Sequence, residues 1–218
     1  MRFDDLAITL RRRARLTATS AARTPVMLFI SCSDPRIVPT ALTGAGPGEI
    51  CELRTLGHRV PAYTGIAGAE AATIEQAVRG LGVGHIVVCG HSLCDILDLA
   101  TEPDDRALAA RGWMAAQHEE SVPEDDLRDR VGRAPLPLRP DYGPDGMRFV
   151  GPRSVRRSAT RHQPAYAHVL HQLGTLRTHP AVAEALEQER LALHGWFYDL
   201  VEGSVSAYEP GSATFVPL

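Results

Sequence analysis

Two short stretches of this chain hold the residues best suited to bind a metal ion. The first is His91-Ser92-Leu93-Cys94, which follows the apolar run 85–90 directly. The second is Cys32, the last residue of another apolar run, 26–32. One imidazole and two thiolates are ligands that suit Zn2+, and three protein ligands leave the open position that a catalytic zinc site requires. The sequence therefore predicts a zinc site on Cys32, His91 and Cys94.

A carboxylate and an arginine stand beside the first of these ligands, in Cys32-Ser33-Asp34-Pro35-Arg36. Because alternate residues of an extended segment point the same way, we expect Asp34 to face the ion that Cys32 binds. It would either take the fourth ligand position or accept a hydrogen bond from a zinc-bound water. Arg36 is placed to hold the carboxylate in a bidentate pair, off the metal. Zinc lowers the pKa of bound water to about 7, so this set predicts a hydroxide nucleophile that Asp34 orients.

These ligands meet only if the fold brings both apolar runs side by side. Runs 26–32 and 85–90 are short, apolar and bounded by turn residues, which is typical of buried strands. Residues 49–54 alternate apolar with polar, which predicts a strand, and 68–81 has an apolar stripe at helical spacing. Strand, helix and strand in this order predict a right-handed crossover and a parallel sheet. Neighbouring parallel strands open onto one crevice, where ligands bind.

The last third of the chain continues the mixture of helix and strand. Residues 166–176 and 180–189 predict two helices, the second with a proline in its first turn. Residues 191–198 predict a strand and 205–208 a final one. We therefore expect one α/β domain over residues 1–218. Its sheet is expected to be central and mostly parallel, flanked by helices, with a C-terminal antiparallel edge strand.

Two segments differ from this pattern. Residues 1–20 form a predicted helical arm, with apolar residues at helical spacing and a cluster of arginines. Residues 101–165 are rich in proline and arginine, apart from a possible helix at 107–118. A connection of this length is either functional or poorly ordered. We expect a loosely packed or disordered excursion, with a lid or a partner surface as the alternative.

Composition excludes several classes of function. The 218 residues carry a formal net charge of -3, which argues against nucleic acid as a partner. The N-terminus lacks the apolar core of a signal peptide and no segment is long enough to span a membrane, so we expect a cytoplasmic protein. In that reducing compartment the four cysteines are expected to be ligands or buried thiols. Cys51 and Cys89 are assigned to the buried thiols. The histidines outside any motif are expected at the surface or on helices: His85, His118, His162, His168, His171 and His179.

These motifs together resemble the β-class carbonic anhydrases. The family patterns Cys-Ser-Asp-Ser-Arg, Arg-Asn-Ala-Gly-Asn and Cys-Gly-His-Ser-x-Cys-Gly-Gly correspond to residues 32–36, 54–58 and 89–96. Residues 176–182 and 193–199 are similar to the family's last helix and strand, so the likeness covers nearly everything outside 101–165. The resemblance implies zinc on Cys32, His91 and Cys94, an Asp34–Arg36 dyad, and dimers or dimers of dimers whose N-terminal helix often wraps the partner.

Three departures from the family pattern leave alternatives open. Asp95 and Ile96 replace glycines beside the zinc cysteine, and the excursion 101–165 is long. Thr55, Leu56 and His58 replace Asn-Ala and Asn at the strand exit. The first hypothesis is a zinc lyase that hydrates carbon dioxide to bicarbonate. The second is a related zinc enzyme that acts on another small electrophile. The third is a non-catalytic member that uses zinc for folding, binds a partner through 101–165 and keeps Asp34 on the metal.

Overall fold

A six-stranded sheet forms the centre of the protein. The computed structural model describes residues 24–66, 68–94, 96 and 153–218, with the backbone alone for 153–161. In chain order the described elements are β1 (Met27–Cys32), α1 (Pro39–Thr43), β2 (Ile50–Thr55), a 3-10 turn (Leu56–His58), α2 (Ala69–Glu75), a π-helical turn (Gln76–Gly80), β3 (His85–His91), α3 (Arg153–Leu176), α4 (Pro180–Glu187), β4 (Ala192–Asp199), β5 (Ser204–Glu209) and β6 (Thr214–Pro217).

The strand order is β2-β1-β3-β4-β5-β6. The first four strands in this order run parallel, and β5 and β6 are added antiparallel. The prediction of a mostly parallel sheet with an antiparallel C-terminal edge is confirmed. Because β1 and β3 are parallel neighbours, their last residues lie side by side at the C-terminal ends of the strands.

One face of the sheet carries the larger core. Ile30 of β1 and Val88 of β3 have no exposed surface and pack toward α2, α3 and α4. Each helix contributes an apolar stripe, with Ile74 from α2, Val169 from α3 and Val182 from α4 fully buried. At about 1.5–3 kcal/mol per buried aliphatic or aromatic side chain, this face supplies much of the driving force for folding. It also fixes β1 and β3 relative to α3.

The opposite face holds a smaller cluster. Phe29, Val87 and Cys89 are buried there, and Trp196 packs its ring edge-on against Phe29 with centroids 5.9 Å apart. Leu42 of α1 also contacts this cluster. The central strands are therefore apolar on both faces, which explains their near-continuous apolar sequences.

Helix α3 begins earlier than the sequence predicts. The predicted start at Tyr166 is wrong, because the helix runs from Arg153 to Leu176 and includes Pro164. Proline in a helix interior removes one hydrogen bond. Pro164 lies exposed, while Val169 and Leu173 bury the opposite side of the helix against the sheet. Packing of that face outweighs the local cost of the proline, so the helix continues through Pro164 and the backbone of residues 153–165 is helical.

The C-terminal end also differs from prediction. One edge strand is predicted, but β6 follows β5 and pairs with it, Tyr208 opposite Phe215. The segment is four residues long and ends in proline, a composition that sheets confine to their edges. Its short length and its proline hide the alternating pattern that marks longer strands.

Several predictions concern residues outside the described ranges. The arm 1–20, the helix 107–118, residues 101–152 of the excursion and Asp95 all lie there. Among the helices that are described, none has both the length and the apolar character needed to cross a membrane.

Candidate metal centre

The ends of β1 and β3 bring three potential metal ligands together. The sulfur atoms of Cys32 and Cys94 and a ring nitrogen of His91 all lie within 4.8 Å of one another. The three residues are 2%, 4% and 1% exposed respectively. Within the described residues no carboxylate belongs to this cluster. The sequence predicted this convergence from strand ends alone.

The His91 ring is oriented by its own strand exit. Its Nδ1 lies 2.9 Å from the carbonyl oxygen of Ser92. Because a carbonyl only accepts, Nδ1 carries the proton in the neutral ring, and the lone pair is left on Nε2. Nε2 is buried and has no hydrogen-bond partner of sound geometry in the described part of the chain. A buried imidazole nitrogen whose lone pair has no hydrogen-bond donor is suited to bind a metal ion.

Cys32 is held in the thiolate form that binds metals. A hydrogen bond from the Cys94 thiol is the main influence, and it lowers the pKa of Cys32 to about 4 even though burial acts in the opposite direction. The nearby His91 ring and the backbone amides of Asp34 and Gly57 add to the effect. A thiolate at neutral pH, rather than a thiol, is the nucleophile and the ligand.

The donor set fits a zinc ion. Thiolates bind zinc at about 2.3 Å and imidazole at about 2.0–2.1 Å, so ligands of one tetrahedral ion are about 3.3–3.8 Å apart. A cluster within 4.8 Å therefore accommodates one ion after small side-chain movements. Two sulfurs and a nitrogen also favour zinc over the hard cations, which prefer oxygen.

Asp34 and Arg36 form the predicted pair. Arg36 Nε lies 2.9 Å from Asp34 Oδ1, and Nη2 lies 2.5 Å from Oδ2. The Arg36 backbone amide also donates to Oδ1, at 2.8 Å. The Arg36 side chain lowers the pKa of Asp34 to about 2, against a smaller opposing effect of burial. The carboxylate is therefore charged at every physiological pH, and both of its oxygens are engaged by Arg36.

Arg36 and a second arginine, Arg54, donate hydrogen bonds that link the loops around this pair. Arg36 Nη2 donates to the carbonyl oxygen of Leu93 at 2.8 Å, which links the Asp34 loop to the turn between His91 and Cys94. Leu93 has a φ of 55°, a left-handed conformation that a leucine rarely adopts, so this turn is strained and benefits from the tie. Arg54 Nη2 donates to the carbonyls of Asp34 and Ile37, at 2.7 and 2.9 Å. Sequence reasoning gave Arg54 no role, although its place in the strand-exit motif was a signal.

A buried polar network lies behind His91. Asp199 Oδ1 accepts hydrogen bonds from Ser92 Oγ and from the amides of Val201 and Glu202, at 3.2, 2.8 and 3.3 Å. Asp199 Oδ2 lies 2.9 Å from His162 Nε2. Burial opposes ionisation, but these amides and His162 outweigh it and lower the pKa of Asp199. His162 lies on α3, as expected for a histidine at the surface or on a helix, and is 7% exposed.

His58 is the departure from the family pattern that the structure describes best. It has no exposed surface, and neither ring nitrogen has a hydrogen-bond partner in the described residues. Its ring packs edge-on against His168 with centroids 4.6 Å apart. Burial lowers the pKa of His58 well below its usual value, so the ring is neutral. Its φ of 50° adds backbone strain.

Of the two remaining cysteines, Cys89 is buried as predicted and Cys51 is only partly buried. Cys89 lies inside β3, 1% exposed, and burial raises its pKa to about 12. Cys51 is half-buried in β2, and burial raises its pKa too. Both remain thiols at neutral pH, in contrast to Cys32.

Comparison with known proteins agrees with this geometry. A family model described as carbonic anhydrase matches residues 27–205. Over 209 residues the chain is 38% identical to a carbonic anhydrase of Pseudomonas aeruginosa, covering 94% of this chain and 84% of that protein. It is 33% identical over 215 residues to carbonic anhydrase 1 of Escherichia coli O157:H7, covering 95% and 84%.

Solved structures share the fold. The β-carbonic anhydrase CcaA superimposes with a TM-score of 0.68 at 27% identity, covering 96% of this chain and 92% of that one. One of two tetrameric β-carbonic anhydrases of the ascomycete Sordaria macrospora superimposes with a TM-score of 0.64 at 22% identity, covering 93% and 90%. The second likeness speaks for the fold alone.

Proposed function

The chain belongs to the β-class carbonic anhydrase family, and we propose that it catalyses the reversible hydration of carbon dioxide to bicarbonate and a proton. The observation that carries the proposal is the buried cluster of Cys32, His91 and Cys94 beside a charged Asp34. A zinc ion held by these three residues would supply a hydroxide nucleophile at near-neutral pH by lowering the pKa of water.

Asp34 is proposed as the group that orients the nucleophile. Its carboxylate stays ionised and accepts hydrogen bonds, since Arg36 holds its pKa at about 2. Arg36 contacts both carboxylate oxygens and so favours an Asp34 that stays off the metal. This arrangement supports the catalytic hypothesis over a zinc-containing member in which Asp34 permanently fills the fourth position.

Two of the three departures at the strand exit do not favour another substrate. Thr55 and His58 are 7% and 0% exposed, so neither presents a surface that a substrate would touch. Thr55 instead donates through its hydroxyl to the carbonyl of Arg59, at 2.8 Å. The substitutions at positions 55 and 58 therefore change buried residues around the site, while Asp34 and the three proposed metal ligands keep their places. Carbon dioxide therefore stays the proposed substrate.

We further propose a cytoplasmic homodimer or dimer of dimers. Four free cysteines suit a reducing compartment, and the Sordaria macrospora β-carbonic anhydrases that share the fold are tetrameric. Sedimentation of the zinc-loaded protein tests the assembly: two or four chains per particle are expected, and a monomer at micromolar concentration would contradict it.

Stopped-flow hydration of carbon dioxide tests the activity. Zinc-loaded protein is expected to show turnover that rises between about pH 7 and 9, as a bound water is deprotonated. Cys32→Ser is expected to abolish it and Cys51→Ser, the matched cysteine control, to leave it unchanged. Absence of turnover in protein with one zinc per chain would refute the proposed activity.

A further inference from the structure

Two histidines of α3 approach the metal centre, and the proposed reaction uses neither of them. His162 and His168 come from different turns of this helix and reach different strand exits. Each makes a hydrogen bond to a group that leads on to one of the proposed zinc ligands. Neither residue belongs to a recognisable sequence motif.

The first connection runs from His162 to His91. His162 Nε2 lies 2.9 Å from Asp199 Oδ2, and Ser92 Oγ donates to the other oxygen of the same carboxylate at 3.2 Å. The carbonyl of Ser92 then accepts the Nδ1 proton of His91 at 2.9 Å. All four residues are at most 7% exposed, so water does not compete for these bonds. The position of His162 therefore bears on the orientation of the His91 ring.

The second connection runs from His168 to Cys32. His168 Nε2 lies 3.0 Å from the carbonyl oxygen of Gly57, and since that oxygen only accepts, the ring donates. Gly57 follows closely on Thr55, which pairs with Cys32 in the sheet, and the Gly57 amide faces the Cys32 sulfur, whose pKa it lowers. Gly57 and His58 have φ angles of 63° and 50°, two consecutive left-handed residues. A non-glycine residue is strained in this conformation. We therefore infer that the hydrogen bond from His168 stabilises the turn and keeps the Gly57 amide facing the sulfur.

Ordinary burial explains these contacts less well. A histidine between a helix and a sheet needs only one acceptor to satisfy its ring, as Gln172 on the next turn of α3 is satisfied by the Val60 amide at 2.7 Å. Both rings nevertheless contact groups that lie next to a metal-binding side chain. Loss of a group bonded directly to a ligand weakens metal binding by about 10- to 100-fold, so we expect about 3- to 10-fold for these histidines, which act through an intervening group.

We propose that His162 and His168 are positioning residues of the metal centre, His162 for the His91 ring and His168 for the Cys32 sulfur. The proposal rests on the proposed zinc site. It makes α3 a support of that site, since one helix ties down ligands from both β1 and β3.

Cobalt substitution and chelator competition test the two positions. Cobalt bound by thiolates gives sulfur-to-metal charge-transfer absorption, which reports on the bonds to Cys32 and Cys94. Four variants are compared with wild type: His162→Leu, His162→Gln, His168→Leu and His168→Gln. Leucine removes the donor, whereas the glutamine amide keeps a donor near the place of Nε2. Leu176→Ala is the matched control, because this fully buried residue of the same helix supports only the core.

The leucine variants are expected to bind zinc about 3- to 10-fold more weakly, with substantial recovery in the glutamine variants. His168→Leu should also shift the cobalt–thiolate absorption. Leu176→Ala should lower the melting temperature without changing the spectrum. Zinc affinity and cobalt spectrum unchanged in both leucine variants would overturn the inference, as would equal losses in glutamine variants or in Leu176→Ala. A wild-type chain that binds neither metal would instead refute the proposed site itself.

Discussion

Gly90 lies at the tightest contact behind the metal centre, and replacing it by alanine gives a quantitative test of the packing. Gly90 immediately precedes His91 in β3 and is buried. A Cβ atom there would lie 2.7 Å from Val169 Cγ2 and 3.5 Å from the His58 ring. Val169 also packs closely against the neighbouring strand β4, since a Cβ on Gly195 would lie 3.0 Å from its Cγ1. The added methyl therefore pushes α3 away from β3.

The size of the effect follows from these contacts. Overpacking of a well-filled core costs about 1–3 kcal/mol, and the loss of glycine freedom in the unfolded chain returns about 0.4–1 kcal/mol. Gly90→Ala is thus expected to destabilise the protein by about 1–2 kcal/mol, or roughly 2–8 °C in melting temperature. Val169→Ala alone should cost about 2–3 kcal/mol, from two lost methyl groups and a partial cavity.

The double variant Gly90→Ala/Val169→Ala tests whether contact with Val169 causes the destabilisation. With Val169 shortened the clash disappears, so Gly90→Ala should be neutral or stabilising in that background, a coupling of about 1–3 kcal/mol. Denaturant unfolding in the presence of a chelator measures all four proteins without a contribution from metal binding. Simple additivity of the two substitutions would refute the claim that Val169 packs tightly against both Gly90 and Gly195. A Gly90→Ala protein as stable as wild type would refute it equally.

Two further predictions concern the charged and sulfur groups. Because the folded pKa of Asp34, about 2, lies below its unfolded value, the stability it contributes is fully present above about pH 4 and is lost as pH falls toward 2. The stability difference between wild type and Asp34→Asn should therefore shrink over that range in acid unfolding, and a constant difference would contradict this. Cys32→Ser should retain less than a tenth of the zinc bound by wild type in metal analysis, whereas Cys89→Ala should retain one zinc per chain. Zinc loss in Cys89→Ala with the fold intact would contradict the assignment of Cys89 as a buried thiol.

The elements that position the ligands were predictable because their signals are local. Strands β1 and β3 are continuous apolar runs, and their last residues are the ones whose chemistry is distinctive, Cys32 and His91. Parallel pairing then follows from the intervening helix, and pairing alone brings the two ends together. Asp34 and Arg36 are two residues apart, so their contact was also readable from the chain.

The features that the sequence did not predict depend on contacts between residues far apart in the chain. Asp199 bonds His162 and Ser92, partners 37 and 107 positions away, and no local pattern marks such a meeting. Pro164 gives a strong helix-ending signal that the packing of α3 overrides. In the sequence His58 is a substitution at a strand exit, and nothing local indicates that the structure buries it completely against His168.

X-ray absorption at the zinc edge of the metal-loaded protein tests the proposed centre most directly. Two thiolates and one imidazole predict two sulfur scatterers at about 2.3 Å, one nitrogen at about 2.0–2.1 Å and one further light atom. In Cys94→Ser one sulfur should disappear, and in Cys51→Ser both should remain. A spectrum with one sulfur or none in the wild-type protein would contradict the assignment of Cys32, His91 and Cys94 as the ligands.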